Sequence, residues 1–254
     1  YGVPRGGAMD RAAFEAVNAL LGNDHGAAVL ECTGTMPVLA FSNASKIAVV
    51  YADHLQTMEA GSDEVIQFDS IKKGYRAYIA VEGGIDVPVV MGSRSTYVPA
   101  KLGGCAGRPL KTGDILAIRD QGSRLHEAEV RNLGIGTNEA IRIIPGPEAD
   151  WFDCGGLNTF LTETFTISAK SDRVGLRLEG KALSFRSEKQ MVSSGISFGT
   201  IQVPPSGKPI IMMADHPTTG GYPRIGAVAE ADLATLAQLR PGDQLRFREL
   251  RLPR

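Results

Sequence analysis

The chain has 254 residues, a formal net charge of −1, 43% hydrophobic and 22% charged side chains, the balance of a globular protein with room for one large domain or two of ordinary size. No basic field advertises a nucleic acid or a membrane surface, and no apolar run reaches the roughly 20 residues that a spanning helix needs. Three scattered cysteines, Cys32, Cys105 and Cys154, make no disulfide framework and suit a reducing, cytoplasmic setting.

Thirty glycines and fourteen prolines point to many turns and therefore many short strands. The first residue is Tyr1 rather than Met, which suggests that an N-terminal segment is missing from the sequence, one that would hide any targeting signal.

Residues 10–21 read as a helix. Asp10 is placed as its N-cap, and Ala13, Phe14, Val17, Leu20 and Leu21 recur at helical spacing before Gly22-Asn23-Asp24 stops it. Strands are predicted at 29–33, 38–41 and 47–51. From Tyr75 to Val81 residues alternate as in a strand, broken by Glu82-Gly83-Gly84. Residues 91–97 are polar and loop-like, and 111–118 form a turn feeding a strand. The charged, weakly patterned stretch 121–140 is the candidate linker between lobes at 1–120 and 141–254.

In the second lobe, 141–147 resumes strand character, a short helix is centred on 157–161, and strands follow at 165–168, 171–178 and 210–214. A last helix carries Leu233, Leu236, Ala237 and Leu239 on one face. Arg240-Pro-Gly-Asp243 then turns into a strand, echoing Lys111-Thr-Gly-Asp114. The fold class predicted from this pattern is mainly β, two barrel-like lobes with a few short helices.

Common catalytic motifs fail. No phosphate loop, complete dinucleotide fingerprint or Gly-x-Ser-x-Gly elbow occurs, no Cys-x-x-Cys is present, and His126 has no second histidine four residues on, so no metal site is expected. No Met-Lys-Met carries a biotinyl lysine. His25 and His54 read as loop or surface residues.

Residues 207–225 stand out. A short apolar strand delivers Asp215 and His216, then Thr218, Thr219, Gly220, Gly221 and Tyr222. A carboxylate, an imidazole and two hydroxyls at a strand end are costly to bury without partners, which fits a site. They equally fit a hairpin corner whose Asp and Thr side chains cap backbone groups. Arg173 is either an anion clamp or a surface arginine paired with Asp172. Glu82 either hydrogen-bonds a small amide or ends its strand.

Several motifs together carry a resemblance. They are Gly-Val-Pro-Arg-Gly-Gly-Ala-Met-Asp (2–10), Arg-Ala-Tyr-Ile-Ala-Val-Glu-Gly-Gly-Ile-Asp-Val-Pro (76–88), Met-Gly-Ser-Arg-Ser-Thr-Tyr (91–97) and Pro-Gly-Pro-Glu (145–148). Ser-Asp-Arg-Val-Gly-Leu-Arg-Leu (171–178), Gly-Thr-Ile-Gln-Val-Pro-Pro-Ser-Gly-Lys-Pro-Ile (199–210) and Asp-His-Pro-Thr-Thr-Gly-Gly-Tyr-Pro (215–223) complete the set. The chain resembles, over nearly its whole length, the biotin-dependent carboxyltransferase family also labelled allophanate hydrolase subunit 2. That family includes the C component of bacterial 5-oxoprolinase and KipA-like proteins, and is similar to the carboxyltransferase region of urea carboxylase. Pro217 departs from it where glutamine is common, and the segment between Asp53 and Lys73 is shorter than the family pattern.

The resemblance implies two cyclophilin-like β-barrel lobes, a KipI-like B component as partner and a LamB-like A component for 5-oxoprolinase activity. The leading expectation is the C component of an ATP-dependent 5-oxoprolinase complex that opens the lactam of 5-oxo-L-proline, a small-molecule amide, to glutamate. Its ATP is used by the complex at a site the sequence does not place. The alternatives are a carboxyltransferase taking CO₂ from carboxybiotin on another protein to urea or a similar amide, and a non-enzymatic binder that antagonises a KipI-type kinase inhibitor. In the leading reading Asp215 and His216 would handle protons, with the carboxylate orienting the imidazole; in the carboxyltransferase the same residues would position an amide nitrogen and stabilise the biotin enolate. Thr218, Thr219 and the Gly220 and Gly221 amides would bind developing negative charge. Arg173 would hold a carboxylate or phosphate, and Tyr222 would line the pocket.

Overall fold

The computed structural model describes residues 2–51, 54–119, 140–187 and 189–250. The linker expected at 121–140 falls, apart from residue 140, outside the described residues. The chain divides into two compact units, one of Gly6–Ile135 and one of Tyr1–Arg5 with Gly136–Arg254.

The N-terminal unit opens with α1 (Arg11–Leu20), capped by Asp10, whose Oδ1 accepts the Ala13 amide at 3.0 Å. Strands β1 (Leu30–Thr33), β2 (Val38–Phe41), β3 (Ser45–Tyr51), β4 (His54–Ala60), β5 (Glu64–Gln67) and β6 (Arg76–Val81) follow. Four of them form an antiparallel sheet in the order β1-β6-β3-β4, while β2 and β5 pair as a separate ribbon.

The two-residue period of β3 and β6 sorts their side chains between two cores. Ala48, Val50, Tyr78 and Ala80 meet Ala13, Ala16 and Val17 of α1. Ile47, Val49, Ile79 and Val81 face the other way, with Phe41 and Leu39 of the ribbon. Every residue of β6 is therefore buried, so the alternation in 75–81 marks two covered faces rather than one wet and one dry. Tyr78 keeps its hydroxyl satisfied inside by donating to Glu31 Oε2 and accepting from the Asp10 amide, both at 2.8 Å.

The C-terminal unit contains β7 (Ile141–Pro145), α2 (Cys154–Thr162), β8 (Phe165–Ile167), β9 (Gly175–Glu179), β10 (Ser194–Gly195), β11 (Thr200–Gln202), β12 (Ile210–Met212), β13 (Thr219–Gly220), β14 (Arg224–Val228), α3 (Leu233–Ala237), β15 (Gln244–Leu245) and β16 (Phe247–Glu249). Eight of these strands form one sheet in the order β15-β8-β9-β12-β11-β14-β7-β16. Its two outer strands are consecutive in the chain, separated only by Arg246, whose carbonyl accepts the Ile141 amide at 2.8 Å. The sheet thus curls until both edges meet on one stretch, a nearly closed barrel. Phe160 of α2 stacks on Phe247 with centroids 4.5 Å apart, and Phe165 joins them.

The described chain is mixed α/β with one barrel-like lobe, a correction to the expected pair of β-barrel lobes. The N-terminal sheet stays open because the stretch that would have to extend it makes single bridges instead of ladders, Ile85 with Ala28 and with Ile118. Its backbone also visits positive φ at Met91, Lys101 and Ala106, incompatible with a strand.

The internal echo is real as a turn and not as a strand. Asp114 Oδ2 accepts the Lys111 amide at 2.9 Å and Asp243 Oδ2 accepts the Arg240 amide at 2.7 Å. The glycines between sit at φ 88° and 93°, a region in which side chains are strained. After Asp243 the chain enters β15; after Asp114 it runs on as a loop with Ile115 93% exposed. Among the described residues no helix is long and apolar enough to cross a membrane.

Candidate active site after strand β12

Strand β12 runs between β9 and β11 in the interior of the barrel sheet. Ile211, Met212, Met213 and Ala214 are buried, so the apolar run is a strand covered on both faces and its end is fixed. Past it, the Met213 amide donates to the Val174 carbonyl at 3.0 Å and the Asp215 amide to the Arg173 carbonyl at 2.9 Å. The turn before β9 and the exit of β12 are thereby laced together.

That lacing brings two of the expected site residues into contact. Arg173 forks onto Asp215, Nε to Oδ2 at 2.9 Å and Nη2 to Oδ1 at 3.0 Å. The Asp215 side chain is 5% exposed and that of Arg173 28%. Such a bidentate pair is geometrically specific. The pairing of Arg173 with Asp172 is not formed, because Asp172 Oδ1 caps its own turn, accepting the Val174 and Gly175 amides at 2.9 and 3.1 Å.

His216 is buried and its amide donates back to the Met213 carbonyl at 3.0 Å. Its Nδ1 lies 2.8 Å from the Pro217 carbonyl oxygen. A carbonyl only accepts, so Nδ1 is the protonated nitrogen and Nε2 carries a lone pair in the neutral ring. The imidazole is therefore oriented by a backbone carbonyl, and among the described residues no hydrogen bond joins it to Asp215, whose carboxylate is turned to Arg173. Thr218 is half-buried and Thr219 exposed, and neither hydroxyl hydrogen-bonds another described residue.

Thr219 and Gly220 form β13, paired antiparallel with Gly195 and Ser194 of β10. The Thr218 carbonyl accepts the Ile196 amide at 3.1 Å. This two-stranded ribbon is held by side chains that sequence reasoning left without a role. Gln202, 3% exposed, donates from Nε2 to the Tyr222 carbonyl at 3.1 Å. Arg224 donates from Nη1 to the Gly195 carbonyl at 3.1 Å, while its Nε and Nη2 grip Glu148 at 2.7 and 2.6 Å. Hydrogen bonds from that guanidinium hold the Glu148 carboxyl below the usual glutamate range, against the opposing effect of burial. Their signal was a polar residue inside an apolar strand, Gln202 between Ile201 and Val203, and a lone Glu148 after Pro-Gly-Pro. A Cβ built on Gly221 would meet Ser193 only in ordinary contact, and Tyr222 is exposed.

Glu82 belongs to the other unit. Its amide donates to the Lys46 carbonyl at 2.9 Å, and the next amide, of Gly83, donates to Asn23 Oδ1 at 2.9 Å. Its backbone ends β6. Among the described residues no group of three or more His, Cys, Asp or Glu side chains is placed to hold a metal ion.

Known proteins share this architecture. A family model described as carboxyltransferase domain, subdomain A and B, matches residues 1–249. The chain is 37% identical over 260 residues to the C component of 5-oxoprolinase from Escherichia coli, spanning 97% of this chain and 83% of that protein. It is 34% identical over 265 residues to the corresponding 5-oxoprolinase component of Haemophilus influenzae, spanning 99% and 84%. Its structure is similar to the urea amidolyase of K. lactis with a TM-score of 0.88 at 30% identity, covering 98% of this chain and only 17% of that one. A match over nearly the whole of this chain, in sequence and in fold, makes it a member of the biotin-dependent carboxyltransferase family, related to the 5-oxoprolinase C component and to urea carboxylase.

Proposed function

We propose that this chain supplies the carboxyl-transfer site of a biotin-dependent system acting on a small amide. The observation that carries the reading is the His216 ring, held through Nδ1 on the Pro217 carbonyl, which leaves Nε2 as the basic nitrogen of the neutral ring, with two threonine hydroxyls following Pro217 in sequence. An amide nitrogen becomes a nucleophile when its proton is taken, and Nε2 would be the base that takes it. Carboxybiotin on another protein would supply the carboxyl group. Its ureido oxygen is an acceptor that the Thr218 and Thr219 hydroxyls suit, and those residues would hold it. The Arg173–Asp215 pair fixes the strand end from which His216 projects.

A second reading has separate support. Two relatives that match nearly the whole chain are C components of 5-oxoprolinase. In that reading the chain works in a larger complex with a KipI-like B component and a LamB-like A component. The complex uses ATP, and His216 Nε2 activates the water that opens a lactam.

Two assays of one preparation separate them. The chain is combined with a biotin carboxylase and carrier, labelled bicarbonate, ATP and urea, and transfer of label to urea is measured. It is also combined with candidate A and B components, ATP and 5-oxoproline, and glutamate is measured. Label transfer supports carboxyl transfer; glutamate release without biotin supports lactam opening. Activity in either assay that is indifferent to His216→Ala would overturn the site.

A further inference from the structure

Arg108, Arg142, Arg173 and Arg224 each hold a carboxylate through two guanidinium nitrogens, those of Asp114, Asp232, Asp215 and Glu148 in that order. Arg94, in the N-terminal unit, departs from this pattern. It is half-buried, and its Nε is shielded from solvent without an acceptor. Among the described residues no carboxylate meets its guanidinium. A shielded donor with nothing to donate to is rare in a folded chain and points to a partner from outside it.

The run that carries Arg94 is fixed by its neighbours. Val90 and Ser93 exchange backbone hydrogen bonds at 2.8 and 3.0 Å around Met91 and Gly92, both at positive φ, the turn of a tight hairpin. Ser93 Oγ accepts the Ser95 amide at 3.1 Å, and Ser95 Oγ accepts the Gly7 amide at 3.0 Å. Gly103 and Gly104 pass so close that a Cβ on the first would strike the Ser95 carbonyl oxygen, and on the second Thr96 Oγ1. The serines on either side of Arg94 are thus occupied by backbone, and its guanidinium stands on a rigid stem.

The local sequence supplies no counter-charge. Residues 87–113 contain Arg94, Lys101, Arg108 and Lys111 and no Asp or Glu. The carboxylates that bound this stretch, Asp86 and Asp114, are engaged by Arg119 and Arg108. There is room beside the run, since a Cβ on Gly7 or Gly92 would meet no described atom within 4 Å. A planar guanidinium fork so held suits an oxoanion, two of whose oxygens match Nε and a terminal nitrogen.

We propose that Arg94 anchors an oxoanion site that takes a carboxylate or phosphate group. The site shares no residue with the His216 site and does not depend on the function proposed for it.

The test is a nuclear magnetic resonance titration of the whole, isotope-labelled chain, following the arginine Nε–H and backbone amide resonances. Inorganic phosphate and acetate are added separately, with ionic strength held constant by chloride. The Nε–H signal that is absent from Arg94→Lys is expected to move saturably as it gains an acceptor. The anion that saturates it at lower concentration identifies the head group. Arg94→Lys and Arg94→Gln, read through the amides of Ser93 and Ser95, are expected to weaken binding by about tenfold or more, the loss of a charge-assisted hydrogen bond. Lys170→Gln, which removes one exposed charge from the C-terminal unit, is expected to leave it unchanged. No saturable movement with either anion, the same movement with chloride alone, or affinity unaltered in both Arg94 variants would overturn the proposal.

Discussion

Gln202 occupies the space that a side chain at residue 220 would need. A Cβ built on Gly220 would lie 2.9 Å from Gln202 Oε1 and closer still to its Nε2, and that amide is tied down by the Tyr222 carbonyl. Gly220→Ala is therefore expected to cost about 1–3 kcal/mol through overpacking. Removing the obstacle in Gly220→Ala/Gln202→Ala should recover part of that loss, a non-additivity expected of contacting residues. Urea midpoints of the two single variants and the double variant measure it; strict additivity would show that the contact is not the cause.

Asp215 is nearly buried and its counter-charge is Arg173. Leaving a buried carboxylate without its partner is worse than losing both. Because Arg173 is partly exposed, Arg173→Ala is expected to cost about 1–3 kcal/mol rather than the full value for a buried pair. Asp215→Ala/Arg173→Ala should be more stable than the sum of the single losses. A double-mutant cycle by chemical denaturation reads the coupling directly.

Glu148 carries a pH dependence of known sign. Its folded-state carboxyl titrates below the usual range because of Arg224, so in the unfolded chain it binds its proton at higher pH. The group stabilises the fold above the unfolded glutamate value of about 4.3, and that contribution is lost as pH falls through the folded value. Glu148→Gln should lower stability at neutral pH and flatten its fall on the acid side. Thermal midpoints followed from pH 7 downward would show two curves that converge; parallel curves would exclude the pairing as a source of acid sensitivity.

His216→Asn separates architecture from chemistry. An asparagine amide can reproduce the Nδ1 donor toward Pro217 but offers nothing in place of Nε2. The variant should keep its thermal midpoint and lose about 10²–10⁴ in turnover, the range for a general base. His216→Gln should do the reverse to the Pro217 bond. Equal turnover in wild type and His216→Asn would remove Nε2 from the mechanism.

Local signals in the sequence marked out much of this. The Asp10 cap, the α1 stripe and the buried run ending at Asp215 were readable because helix period, cap chemistry and short apolar runs act over a few residues. The partner of Arg173 was not readable, since Asp172 is adjacent in sequence while Asp215 arrives through the β9–β12 pairing. The same holds for Gln202 beneath Gly220 and for Glu148 on Arg224, contacts that exist only once β11, β14 and β7 lie side by side. Barrel closure was misjudged in the N-terminal half because a turn recurs there without the strand that follows it in the other half.

The closure of the C-terminal sheet sets an order of events in its folding. Residues 244–249 pair with β8 on one side and with β7 on the other, aligning Phe247 with Ile141. A ribosome delivers β7 long before β16, so both sheet edges wait unpaired until the last of these residues has emerged. Their contacts are distant in sequence and slow to form, and open strand edges invite pairing with other chains in the meantime. Final docking of this one short segment removes both edges at once, turning the most aggregation-exposed moment of synthesis into the step that ends it.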